Sequence, residues 1–146
     1  LLPIAVLEFL GAIMALEVYA PLLRGLLQAP NAWLMLRVDA VSPALALTAE
    51  SAKSPLMQHV YAAARRSEVL RCIWPKLWVA HVSGERNPAA DAASRSLKSA
   101  LKELCLQLRM TPVELAAPPS TKLMVDGTLA VQLAIIEEHG QCTGFK

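Results

Sequence analysis

Two short apolar runs decide most of what this chain can become. Residues 33–38 read WLMLRV and residues 76–82 read KLWVAHV, and the stretch between them carries helix signals. Strands joined through helices cannot form a hairpin. A helical crossover makes them parallel neighbours in one sheet. The first run is apolar at nearly every position, which is the pattern of a strand covered on both faces, and it is expected to be buried on both sides. It ends at Asp39. Ligands of open α/β sheets gather at the carboxyl ends of the strands, so an acid there is placed for chemistry.

The surrounding sequence supplies the helices. Ser42-Pro43 and Ser54-Pro55 each read as an N-cap followed by proline at the first helical position. They open a short helix to about Glu50 and a longer one to about Arg71, the latter with Leu56, Val60 and Ala63 on one face. Ser83-Gly84 turns the chain, and Asn87-Pro88 restarts it as a helix bearing Asp91. Leu97, Leu101, Leu104 and Leu108 then recur at helical spacing. Residues 111–119 read as a proline-containing linker, and 120–138 as one more helix weakened by Asp126-Gly127. Helix, strand, helices, strand, helix is an α/β order. A two-stranded parallel sheet is a poor stand-alone structure, so the order implies strands upstream.

Residues 1–27 are mostly apolar and raise the question of a membrane. Glu8, Glu17 and Arg24 interrupt them and Pro21 falls inside, whereas a spanning helix needs about 20 apolar residues with few or no charges. No basic stretch precedes the run, as a secretory signal would require. The segment is therefore expected to be a buried core helix over residues 3–23, broken by Arg24-Gly25 and Ala29-Pro30-Asn31, with no membrane partner. Glu8 and Glu17 are nine positions apart, which at about 100° per residue puts them on nearly opposite faces. One can point into a site while the other reaches solvent.

Length and charge bound the rest. At 146 residues the chain makes one domain with a core. Its 14 basic and 12 acidic residues give +2, compatible with a nucleic-acid partner without arguing for one. Cys72, Cys105 and Cys142 are odd in number and have no zinc-like spacing, which points to a reducing, intracellular setting (cytoplasm or nucleus).

Three acids stand out by placement: Glu8 on the first helix, Asp39 at a strand end, and Asp91 at a helix start after the second strand. Clustered carboxylates repel unless cations neutralise them, and hard oxygen ligands suit Mg²⁺ or Mn²⁺. Two such ions roughly 4 Å apart serve phosphodiester cleavage. Acids at helix starts are also what the helix dipole favours in any α/β domain, so pattern alone leaves surface acids open.

The wording around those acids carries a resemblance. IAVLEFLGAIMALEVYAPLL looks like the helix of RNase H-like domains that bears their second catalytic acid. WLMLRVDA resembles the strand whose terminal Asp is their third, and HVSGERNPAADAASR is similar to their closing segment. With SAKSPLM, the match is to the RNase H-like domains fused behind reverse transcriptases in retrotransposon polyproteins. It covers about residues 4–110. It implies a partial RNase H-like α/β fold over 1–110, a short parallel sheet flanked by helices, with 111–146 a linker and helical tail. It also implies that Glu8, Asp39 and Asp91 are catalytic and bind Mg²⁺ or Mn²⁺, and that Asn87 braces the last helix start. The implied partners are an RNA–DNA hybrid and the reverse transcriptase domain of the same polyprotein. The family's first catalytic Asp, on an initial strand, has no counterpart here. The His that many members place after the closing-loop glycine is replaced by Glu85 and Arg86. Both departures imply impaired activity. Two rivals stand beside this reading: a non-catalytic scaffold or connection domain of the same fold, and a helical interaction protein in which the acids are unrelated.

Other residues take plainer expectations. His81 is expected to be a packed or surface imidazole, and His59 and His139 solvated helix residues. Trp33, Trp74 and Trp78 are expected in core or sheet-face packing, and Arg65, Arg66 and Arg71 at a solvated helix end.

Overall fold

The structure, a computed structural model, describes residues 2–48, 54–95, 98–111 and 116–142. Helix α1 (Ile4–Leu26) leads into strand β1 (Leu34–Val38). Helices α2 (Val41–Thr48) and α3 (Pro55–Arg66) follow, and a 3₁₀ turn (Trp74–Lys76) delivers strand β2 (Leu77–His81). A second 3₁₀ turn (Gly84–Arg86) then opens α4 (Pro88–Ser94), α5 (Lys98–Gln107) and α6 (Pro119–Cys142). The strands are parallel neighbours, in register from Leu34 against Leu77 to Val38 against His81. The α/β class and the parallel crossover therefore hold.

The expectation that β1 is buried on both faces does not. Leu34, Leu36, Leu77 and Val79 pack against the helical core, but Met35 and its register partner Trp78 are exposed. Helices cover one face of this sheet, and an apolar run by itself does not reveal how many faces are covered.

Helix α1 departs from expectation in two ways. It runs to Leu26 and continues through Pro21, which has no N–H to donate to the Glu17 carbonyl. It is also not buried all round. Val6, Phe9, Leu10, Ile13, Leu16 and Ala20 form its core stripe, while Ile4, Leu7, Tyr19, Leu22 and Leu26 on the other side are exposed. By length and composition alone, α1 is apolar enough to cross a membrane. The helix ends at Leu26, before Ala29-Pro30-Asn31, and the chain beyond it is tied down: Lys76 Nζ donates to the carbonyls of Leu27 and Ala29 at 2.6 and 2.8 Å. Arg24 Nη2 donates to the carbonyls of Glu68 and Val69.

The Ser54-Pro55 signal works as read, with Ser54 Oγ accepting from the Met57 N–H at 3.1 Å. By contrast α2 starts at Val41, so Ser42 lies inside it. Glu50, the expected end of that helix, lies outside the described residues, as does Leu97 of the leucine repeat. Helix α3 stops at Arg66 instead of Arg71, because Ser67 turns extended (φ −64°, ψ 115°). The turns that follow bury Leu70 and Ile73 beside Val60 and Ala64. Helix α6 packs on α1 and α3, adds Met124 to the same core, and continues unbroken through Gly127. A Cβ at Gly127 would lie 3.2 Å from His59 Nε2, so the glycine marks a close helix–helix approach. Helix α5 packs on α4 and buries none of its residues.

Candidate active site

The carboxyl edge of the sheet is where the sequence placed the chemistry. Asp39 follows β1 directly and is exposed. The Val82 N–H donates to the Val38 carbonyl at 2.9 Å, extending the strand pairing one step. His81 Nε2 lies 3.2 Å from the Asp39 carbonyl oxygen. Asp39 and the segment after β2 thus leave the sheet at the same edge.

That segment is built from local hydrogen bonds. Arg86 N–H donates to Ser83 O at 2.8 Å and Asn87 N–H to Gly84 O at 2.9 Å, closing the tight turn. The Asn87 carbonyl then accepts from Asp91 N–H at 3.1 Å, so Asn87 supports the start of α4 through its main chain. Asp91 Oδ1 accepts from Arg95 Nε at 2.8 Å, one helical turn on. Ser83, Gly84, Glu85, Asp91 and Arg95 line an open cleft at this place.

Glu8 stands apart. It is exposed on α1, on the side away from the core stripe. Among the described residues no group of three or more His, Cys, Asp or Glu side chains could hold one metal ion. The three acids are of the right chemical type for Mg²⁺ or Mn²⁺. As arranged, however, they are not gathered around a shared ion, and Asp91 already has a cationic partner in Arg95.

The acid that α1 does point inward is Glu17, which sequence reasoning left undecided. It is 4% exposed. Ser67 Oγ donates to Oε1 at 3.1 Å, while Ser120 Oγ and Thr121 Oγ1 donate to Oε2 at 2.9 and 2.7 Å. Ser120 and Thr121 lie in the first turn of α6, so the carboxylate sits at the positive end of that helix dipole. A buried charge is tolerable only with such partners. One sequence signal was available, because Ile13, Leu16 and Ala20 put position 17 on the core stripe. The donors, about 50 and 100 positions away, leave no local signal.

Trp74 packs against the core as expected, but the other two tryptophans differ. Trp33 and Trp78 are 66% and 64% exposed and not packed into a core. Trp74 is half-buried beneath the Arg65 guanidinium, 5.5 Å from the ring centroid. Arg71 pairs with Glu68, and His59 packs at Gly127 instead of being fully solvated.

No family model matches the chain, and neither the curated proteins nor the solved structures give a match.

Proposed function

We propose that this chain is part of an RNase H-like domain from a retroelement polyprotein, working inside the cell beside a reverse transcriptase domain. Its ancestral reaction is metal-dependent hydrolysis of the RNA strand in RNA–DNA hybrids, and the activity is impaired in this polypeptide. One observation carries the reading. A parallel strand pair delivers Asp39 and the Gly84–Asn87 turn to one sheet edge, and that turn starts the helix bearing Asp91. This is the order and placement that the resemblance implies for two of the three acids. Glu8 is the weaker member, because it lies on the exposed side of α1, a helix that packs on α2, α3 and α6 and is not part of that sheet edge.

A second reading is favoured by the acids' failure to form a three-member metal-holding group among the described residues. A scaffold or connection domain of the same fold needs no gathered carboxylates, and Asp91 held by Arg95 suits such a role. A purely helical interaction protein is disfavoured, since it does not account for the parallel strands.

The test is anisotropy titration of a labelled 20-base-pair RNA–DNA hybrid against a DNA duplex of the same sequence, with and without Mg²⁺. Hybrids are recognised through shape, backbone and 2′-OH contacts, so tighter binding to the hybrid is expected. Strengthening by Mg²⁺ that Asp39→Asn removes supports the enzyme ancestry. Hybrid preference without metal dependence supports the scaffold. Equal binding to hybrid and DNA duplex overturns both.

A further inference from the structure

Aromatic residues make up only 5% of this chain, yet four of the seven gather in one place. All three tryptophans, Trp33, Trp74 and Trp78, line one cleft together with Tyr61 and Arg65. They come from four separate places: the approach to β1, the 3₁₀ turn, β2 and α3. The cleft holds about 230 Å³. Drug-sized ligands use roughly 300–1,000 Å³, so this one suits a single planar ring system. It lies where the strands begin, whereas Asp39 lies where β1 ends. Five residues at about 3.3 Å each separate the two ends.

Three features of the cleft select its ligand. Trp33 and Trp78 present large exposed ring surfaces, which soluble domains seldom leave open without a use. Trp74, itself half-buried, adds a third ring to the same lining, while its Nε1 is buried with no hydrogen-bond partner among the described residues. The third feature is charge. A neighbouring hollow shares Arg65 and Trp74 with the cleft and adds Arg71 and Pro75, so the aromatic surface continues into a basic one. Glu68 offsets Arg71 by pairing with it, while Arg65 lies over the Trp74 ring. Stacking platforms beside guanidinium groups are the pattern that holds single-stranded nucleic acid: bases stack on the rings and phosphates track the charge.

We infer that this cleft binds an unpaired nucleobase of single-stranded RNA or DNA, with Trp33 and Trp78 as the stacking surfaces and Arg65 and Arg71 facing the adjoining phosphates. The site goes beyond the hydrolytic reading. It involves none of Glu8, Asp39 and Asp91, and it recognises a single strand, not a hybrid duplex.

The test titrates the whole chain with labelled ten-nucleotide oligo(U) and oligo(dT), following anisotropy and tryptophan quenching. Stacking is worth about 1–3 kcal/mol per base, or about 5- to 150-fold in affinity. Trp78→Ala and Trp33→Ala should each weaken binding by a factor in that range, and Trp78→Phe should restore most of it. Both positions are exposed, so thermal unfolding should not shift, and Asp39→Asn should bind as wild type does. The two oligonucleotides separate RNA from DNA as the preferred source of the base. The inference is overturned if Trp78→Ala binds both oligonucleotides as wild type does. It is equally overturned if a DNA duplex competes as well as the single strand, which would mean phosphate attraction alone. A third overturning result is that Trp78→Ala abolishes self-association of the chain and leaves oligonucleotide binding intact.

Discussion

Glu17 and Thr121 are joined by a 2.7 Å hydrogen bond between residues 104 positions apart. The bond ties the middle of α1 to the first turn of α6 and, with Ser67 and Ser120, makes a buried carboxylate acceptable. Hydrogen bonds to a charged group are worth about 1.5–3 kcal/mol. Thr121→Val should therefore lower stability by about that amount in urea unfolding. Glu17→Ala should cost at least as much, and Glu17→Gln less, because its amide oxygen still accepts. Unchanged midpoints for both Thr121→Val and Glu17→Ala would mean that the cluster is solvated in solution.

Gly127 sets two effects against each other. Alanine is about 1 kcal/mol better than glycine inside a helix, but the added methyl would crowd His59 Nε2 at 3.2 Å. Gly127→Ala alone should gain clearly less than 1 kcal/mol. In a His59→Ala background it should gain close to the full amount. A double-mutant cycle with zero coupling would show that the two helices do not meet here.

Ser54→Ala removes the acceptor for the Met57 N–H. The expected loss is about 1 kcal/mol, within the 0.5–2 usual for such caps. Ser54→Asp should recover it, since Asp caps as well as Ser does. Circular dichroism during thermal unfolding reads both.

Cleavage of an RNA–DNA hybrid by this polypeptide with Mg²⁺ or Mn²⁺ should be slight or absent. The described residues gather no metal-binding group, and in-line chemistry fails when its groups are not held in place. Robust metal-dependent cleavage that Asp39→Asn abolishes would show that the missing acid is supplied from elsewhere in the chain.

What could be read from the sequence was what is local. The parallel pairing of residues 33–38 with 76–82 followed from helix signals lying between two apolar runs. The start of α3 followed from Ser54-Pro55. Opposite faces for Glu8 and Glu17 follow from their nine-residue spacing, but the inward member is Glu17, whereas the resemblance assigns Glu8 to the site. Periodicity gives the angle between two side chains and not which of them meets the core. The same limit explains Met35 and Trp78, whose open face cannot be inferred from an apolar run. The aromatic cleft was out of reach for another reason: Trp33, Tyr61, Trp74 and Trp78 belong to four segments, and only the folded chain brings them together.

The wide sequence span of the Glu17 cluster governs how the chain can be made. Synthesis releases α1 long before α6, so Glu17 leaves the ribosome with neither Ser120 nor Thr121 to receive it. Until those hydroxyls arrive, burying the core stripe of the helix means burying a carboxylate with Ser67 alone of its three donors. The domain therefore closes late in translation, and a nascent chain arrested before α6 has its apolar surfaces open to chaperones and proteases.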